Sequence, residues 1–491
     1  MQLAISVDPR GAATLQSQVA EQLRSLIESG RLKPGASIPT SRDLGRQLAV
    51  SRNTITGAYD ALISQGYLYT EPAVGTFVSR LLPEAMLRVE ADIRRARSGA
   101  LYPALNFPLP YTGRGATGLH RPVRPGTVID FAFGRSAARF FPEKAWRRII
   151  NTCLGGAAER ITEYSDPGGI PELRQLITSY LGPARGMVVS AEQVILTAGF
   201  QQGIDLAAHL FAGTNRSVVM EAPTNRGAAF LFETYGSRII PVPVDQHGID
   251  VERLPEERVK LIYVTPSHQF PIGVTMTLHR RLALLEWAAR CGAYVLEIDH
   301  DADFRYDGSP LPSLQSLDRH GCVIYVNSFS RSIGPGLGIG YIVVPRDLIK
   351  PAITIKSLMA NELPWLEQVA LAQFVRDGSW ETHVKRMRRT CELRRNALVA
   401  ALRTHLPGAM HSGAEAGTHL FVTLPPGSPP AAKVQEAAKK LGVGVYCLAD
   451  SPAWFYEHLE GHQRSLLMGY AHLGEDQIYQ GIELLGRALA S

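Results

Sequence analysis

Apolar positions in residues 1–80 recur three times at helical spacing and then switch to alternation. Val19, Leu23, Leu26 and Ile27 fall on one face of a first helix. Leu44 and Leu48 lie one turn apart on a second, with Thr40 as its cap and Asp43 as the acidic partner three residues on. Ala49-Val50 makes a tight turn and Ser51 caps a third helix, whose buried stripe is Ile55, Tyr59, Leu62 and Ile63. The first turn of that helix, Ser51-Arg52-Asn53-Thr54, carries no apolar residue and is left to solvent. Tyr67–Thr70 and Gly75–Val78 then alternate as two short strands around a turn at Glu71-Pro72. A polar first turn on an otherwise packed helix suits a DNA major groove. Its N-terminal side chains can hydrogen-bond base edges while its neighbours hold the rest. A plain solvated hairpin would show the same spacing, but the strand pair that follows reads as a wing.

From Val128 the pattern changes. Val194–Thr197, Val218–Met220, Leu261–Val264, Tyr294–Leu296 and Val323–Val326 are short, continuous apolar runs. Runs of that kind predict strands buried on both faces. Between two of them Leu278, Leu282, Leu285 and Ala289 share one helical face, so strand, helix and strand alternate. That order predicts an α/β domain with a mostly parallel sheet and helices on both sides. From about Leu363 long helices lead into a smaller α+β unit around Leu420–Val422 and Leu466–Met468. The expected organisation is therefore multidomain: an α+β reader over 1–79, a linker over 80–126, and an α/β domain over 127–491.

Composition narrows the class. At 491 residues the chain exceeds one compact core, and 45% hydrophobic with 20% charged residues describes an ordinary globular protein. The start lacks a cationic and then apolar leader, and no apolar run is long enough to span a bilayer, so a cytoplasmic protein is expected. Five scattered cysteines without a CxxC pair read as reduced thiols. The net charge of +6 is uneven, because residues 79–126 hold eight arginines against three acids. Arg88, Arg94, Arg95, Arg97, Arg114, Arg121 and Arg124 could track phosphates beside the reader. They could equally be a solubilising linker.

Four segments carry a resemblance: Ser29-Gly30-Arg31-Leu32-Lys33-Pro34-Gly35, Pro39-Thr40-Ser41-Arg42-Asp43-Leu44, Val50-Ser51-Arg52-Asn53-Thr54 and Gly75-Thr76-Phe77-Val78. Residues 12–79 resemble the winged helix-turn-helix domain of the GntR family of bacterial transcription regulators. The resemblance implies a phosphate contact for Arg42, groove contacts for Ser51, Arg52, Asn53 and Thr54, and a wing tip at Gly75 and Thr76. Its implied partner is a double-stranded operator.

A second resemblance covers residues 128–490. Tyr164-Ser165-Asp166-Pro167-Gly168-Gly169, Thr265-Pro266-Ser267-His268-Gln269-Phe270-Pro271, Phe304-Arg305-Tyr306-Asp307-Gly308 and Ser328-Phe329-Ser330 are similar to the fold-type I aminotransferase domain of the MocR branch of that family. The branch binds pyridoxal phosphate, whose chemistry needs a lysine for the Schiff base, a carboxylate on the pyridine nitrogen, a stacking ring and a phosphate grip. The resemblance puts Arg331 where that lysine belongs, directly after Ser328-Phe329-Ser330. A guanidinium stays protonated and cannot form the imine. Likewise Ile298 takes the carboxylate position (with Asp299 as a neighbour that could slide in), His300 that of a tyrosine, and Asn225 that of the stacking ring. Phe200 replaces a small phosphate-loop residue, and Gly338 the phosphate-gripping arginine. The expectation is a dismantled cofactor site with no covalent pyridoxal phosphate, no catalytic residues and no metal.

Three uses of the large domain follow. The pocket could take an unmodified, anionic effector, with Arg226, His268, His300 and Arg331 as its polar groups. It could be vestigial, leaving a constitutive DNA-binding protein with a dimer scaffold. Or the chain could still be a pyridoxal-phosphate-binding regulator or active aminotransferase. The first is preferred, as a homodimer, the oligomer that the resemblance implies. Lys385, Arg386, Arg388, Arg389, Arg394 and Arg395 crowd one helix and read as a solvated or subunit-facing surface. His419, His458, His462 and His472 lack ligand spacing.

Overall fold

Thr40 shows how locally the reader is specified. Its hydroxyl accepts the Asp43 N–H at 3.2 Å and donates to the Asp43 carboxylate at 2.7 Å, closing the first turn of a helix at both ends of the pair. The computed structural model describes residues 3–80 and 127–490, apart from 10, 12, 73, 136–139, 258, 302, 307–310 and 455–461. The linker arginines from Arg88 to Arg124, Asp307-Gly308 and His458 lie outside the described residues. The chain divides into two compact units, Met1–Pro108 and Leu109–Ser491.

In the first unit α1 (Leu15–Glu28), α2 (Ser41–Gln47) and α3 (Arg52–Ser64) precede β1 (Leu68–Glu71) and β2 (Gly75–Val78). The strands pair antiparallel with Leu68 opposite Val78 and Glu71 opposite Gly75. The helices meet through Val19, Leu23, Leu44, Ile55 and Leu62, all at most 1% exposed. The structure adds a third edge to the wing: Gly35 N–H donates to Val78 O at 2.9 Å and Ile38 N–H to Thr76 O at 3.0 Å. The Pro34-Gly35 punctuation hid this edge. The chain start is tied down too, since the Gln47 amide brackets the backbone of Leu3, itself buried in the core.

The second unit is built on an eight-stranded sheet. In chain order its strands are β3 (Val194–Thr197), β4 (Ser217–Ala222), β5 (Arg238–Asp245), β6 (Gly248–Ile249), β7 (Leu261–Val264), β8 (Tyr294–Ile298), β9 (Val323–Ser328) and β10 (Gly340–Val343). Their spatial order is β3-β10-β9-β8-β7-β4-β5-β6. The five strands from β9 to β5 run parallel, while β10 and β6 are antiparallel to their neighbours. Along β7, Leu261 and Tyr263 join one apolar cluster and Ile262 and Val264 another. Both sheet faces are covered, which is why the strands read as unbroken apolar runs. Strand β5 carries Pro241 and Pro243, a strand signal weakened by the missing N–H groups; it sits next to the edge, where only two-residue β6 follows.

Two sequence expectations are corrected. On the helix Leu278–Cys291 the buried face is Arg281, Leu284, Leu285, Trp287 and Ala288. Leu278 and Leu282 are 57% and 44% exposed, and Ala289 is exposed as well. The helix is rotated so that Arg281 faces inward, its guanidinium donating to the carbonyls of Met276, Pro266 and Pro312. An arginine with three fixed carbonyls can occupy a core position that the hydrophobic pattern reserves for leucine. In the basic run, Arg394 and Arg395 are not surface residues. They are 0% and 8% exposed, stacked over Phe140 and Tyr306 and donating to the carbonyls of Ala471 and Ala414.

The last part is a four-stranded antiparallel sheet formed by Met410–Ser412, His419–Thr423, Ser465–Gly469 and Tyr446–Cys447. It packs with the helices Ser379–His405 and Glu475–Ala490 through Leu398, Leu420, Leu466 and Ile482.

Candidate functional site

The exposed turn that begins α3 is held by its own cap. Ser51 Oγ accepts the Thr54 N–H at 3.1 Å and lies 2.8 Å from Thr54 Oγ1. These two hydroxyls fix the helix start, and Arg52 and Asn53 are the residues of the turn that the cap does not use. Arg52 Nε donates to Ser41 Oγ at 3.3 Å, beside Arg42. Tyr59 anchors the same helix through its hydroxyl to Pro39 O at 2.8 Å. Arg42, Ser51, Arg52 and Asn53 are exposed and Thr54 is half-buried. Gly75 opens β2 at a φ of +153°, a conformation that favours glycine, and Thr76 follows it half-buried.

In the second unit the parallel strands end at one cavity of about 740 Å³. Phe200, Asn225, Ile298, His300, Ser328, Arg331 and Gly338 all line it, as does Arg226. Ile298 is the last residue of β8 and Ser328 of β9, the carboxyl-end position at which open α/β sheets bind ligands. Phe200 is the second residue of the helix Gly199–Phe211, and Asn225 caps the helix Arg226–Thr234 by accepting Ala228 N–H at 3.1 Å. Arg226 is turned to the wall, with Nη2 donating to Ala449 O at 2.9 Å and Ala453 O at 3.2 Å.

Arg331 lines the same space. Its guanidinium lies over the Phe133 ring, 4.3 Å from the centroid, with Nε 3.7 Å from Asp301 Oδ1. Burial lowers its pKa and Asp301 opposes that shift. Asp301 is a buried hub: His268 Nδ1 is 2.9 Å and His300 Nε2 3.4 Å from its Oδ2. Burial alone would push this carboxyl up, yet His300, Arg331 and His268 hold it well below the usual carboxylate range.

His268 does not line the cavity. It is 3% exposed, with Nε2 turned to Gly413 O at 3.4 Å, so its place among the pocket groups is corrected to one behind the wall. A Cβ at residue 417 would stand 2.2 Å from His268 Cε1; glycine there, at a φ of +82°, is what lets the ring fit. Asp299 does not slide into the site either. Strand alternation turns it away from Ile298 and toward Arg185 Nη2 at 2.5 Å and Tyr325 OH at 2.8 Å.

Sequence spacing missed Asp301 and Phe133, and it missed that His419 stands beside them. Donor atoms of His268, Asp301 and His419 lie within 4.8 Å of one another. Only folding joins these three segments. His268 already bonds Asp301, His419 Nε2 lies 3.1 Å from Pro271 O, and burial followed by the neighbouring His268 pushes His419 well below its ordinary range. With Arg331 beside the same carboxylate, the trio reads as a charge network that supports the wall.

Glu221, at the end of β4, gives a pH prediction. Burial pushes its carboxyl from 4.5 up to about 7, against hydrogen bonds from Thr265 and Gln269. Between those values the folded chain holds a proton that the unfolded chain has released, so stability falls as pH rises through the window. Glu221→Gln should remove about 2–3 kcal/mol of that fall, measured by denaturant unfolding between pH 5 and 8. Part of the slope should persist, because burial raises Glu297 to about 7 as well. An unchanged slope in the variant would contradict this.

The aminotransferase class I and II family matches residues 130–456, and the bacterial regulatory proteins of the gntR family match residues 15–78. The uncharacterized HTH-type transcriptional regulator YdeL of Bacillus subtilis is 32% identical over 96% of both chains. The probable rhizopine catabolism regulatory protein MocR of Rhizobium meliloti is 35% identical over 80% of this chain and 78% of its own. Among solved structures, the kynurenine aminotransferase of Pyrococcus horikoshii superposes with a TM-score of 0.68 at 30% identity, covering 74% of this chain and 91% of that one. A gntR-type DNA-binding domain joined to an aminotransferase fold defines a class of transcriptional regulators. The chain belongs to its MocR type.

Proposed function

We propose that this transcriptional regulator reads a specific operator through Arg42, Ser51, Arg52, Asn53, Thr54, Gly75 and Thr76, and that its aminotransferase-like domain binds a small effector without covalent pyridoxal phosphate. The observation that carries the second half is Arg331. It lines the cavity at the position that the resemblance gives to the family's Schiff-base lysine, and among the described residues that line the cavity there is no lysine. The other groups fit the cofactor no better. Ile298 presents no carboxylate, Asn225 spends its side chain on a helix cap, and Gly338 has no side chain. The large domain would thus serve as sensor and as scaffold of a cytoplasmic homodimer. Among the described residues no helix is long and apolar enough to cross a membrane.

An active aminotransferase with an appended reader is the second reading, favoured by the fold shared with the kynurenine aminotransferase. Arg331 opposes it, because a guanidinium has no neutral amine to offer a carbonyl. Footprinting the full-length chain on the DNA upstream of its own gene tests the proposal. A protected site whose occupancy changes with an added anionic metabolite is expected. A footprint indifferent to every metabolite tried would instead favour a constitutive binder.

A further inference from the structure

We infer that the effector is a monocarboxylate with a flat, apolar body, whose carboxylate is held by the terminal nitrogens of Arg331. This rests on the reading of the cavity as a non-covalent effector site and adds the ligand's chemical class. Three observations converge on it.

The cation comes first. Arg331 has one edge turned to Asp301 at 3.7 Å and one face laid on Phe133 at 4.3 Å. Among the described residues its guanidinium makes no hydrogen bond. Its terminal N–H groups form a planar fork, whose geometry matches the two oxygens of a carboxylate. Its side chain is 16% exposed, so water competes weakly and such a bond gains strength.

The walls come second. Phe200, Phe230, Phe270 and Ile298 line the same space, and Phe133 packs on Phe270 with ring centroids 5.0 Å apart. Such surfaces bury an aromatic or extended apolar body and offer little to a sugar or a polyamine.

The third observation separates a monoanion from a phosphate ester. A dianion needs convergent cations or many donors. The second arginine, Arg226, is bound to the carbonyls of Ala449 and Ala453, and Asp450 lies close enough to influence its charge. Ser328 Oγ donates to Ser330 Oγ at 2.9 Å, so the Ser328 proton is spent within the wall. One cation facing an aromatic cavity matches one carboxylate.

The test uses the full chain and four probes in isothermal titration calorimetry. Indole-3-acetate carries both charge and body, indole-3-acetamide the body alone, acetate the charge alone, and inorganic phosphate the competing anion. Indole-3-acetate should bind at least about tenfold more tightly than each of the others, the factor expected for a charge-assisted hydrogen-bonded pair. In Arg331→Gln the advantage of acid over amide should vanish, and Arg331→Lys should retain part of it. The acid–amide comparison on the unmodified protein stands even if a variant folds poorly. Equal binding of acid and amide, tighter binding of phosphate, binding of no probe, or an acid preference that survives Arg331→Gln would each overturn the inference. Tighter binding of phosphate without a covalent cofactor would overturn this inference alone. A borohydride-fixed cofactor would overturn the reading beneath it.

Discussion

Replacing Arg52 by alanine is expected to weaken binding to the operator by about 1–3 kcal/mol, roughly five- to 150-fold, and to change binding to random DNA far less. The expectation follows from how the turn is built. Ser51 and Thr54 are committed to the helix cap, which keeps the turn rigid without help from Arg52. Among the described residues the guanidinium makes one hydrogen bond, to Ser41 Oγ at 3.3 Å, which is readily exchanged for a guanine edge. A bidentate contact to guanine carries sequence information, whereas a phosphate contact weakens all sequences alike. Fluorescence anisotropy with an operator duplex and a scrambled duplex separates the two. Equal losses on both would make Arg52 a phosphate contact and move base reading to Asn53.

Arg331→Lys is expected to leave the protein without an efficiently attached cofactor, even though it supplies an amine at the position that the resemblance gives to the Schiff-base lysine. The new amine would lie near Asp301, a carboxylate already held ionised by His300 and His268, which favours a charged, unreactive ammonium. The rest of the site would be unchanged. Ile298 would still offer no charge to the pyridine ring, and Asp299 would remain bound to Arg185 and Tyr325. Phe200 would still line the cavity from the first turn of the helix Gly199–Phe211, at the position that the resemblance gives to a small residue. Intact mass after borohydride treatment with added pyridoxal phosphate is the check. Near-complete labelling of the variant would mean that lysine loss was the only defect and that the other positions still hold the cofactor.

How much of this was legible beforehand depended on the range of the interaction. The caps at Thr40 and Ser51 are made by residues three apart, so motif and geometry coincide, and the helices of the reader fall where their spacing puts them. The buried strands were legible because both faces of the sheet are covered. The third edge of the wing was not, since it depends on a long-range backbone pairing to Val78 and Thr76. The helix Leu278–Cys291 misled because Arg281 counts as polar in any pattern, yet its guanidinium is satisfied inside. In the pocket, motif positions identified seven lining residues, all of which the fold brings to one cavity. The same motifs could not reveal that His268 lies behind the wall or that Asp301 joins it to His300 and Arg331. Those relations come from loops that meet only after the sheet and the C-terminal part have assembled.

On the proposed reading, the large domain has exchanged a covalent cofactor for a reversible ligand. The most direct measurement is the absorbance spectrum of the purified full-length protein with added pyridoxal phosphate, followed by borohydride reduction and peptide mapping. A colourless protein, no visible band from a bound imine and no reduced adduct on any residue of the cavity are expected. A yellow protein with a borohydride-fixed cofactor in this pocket would contradict it.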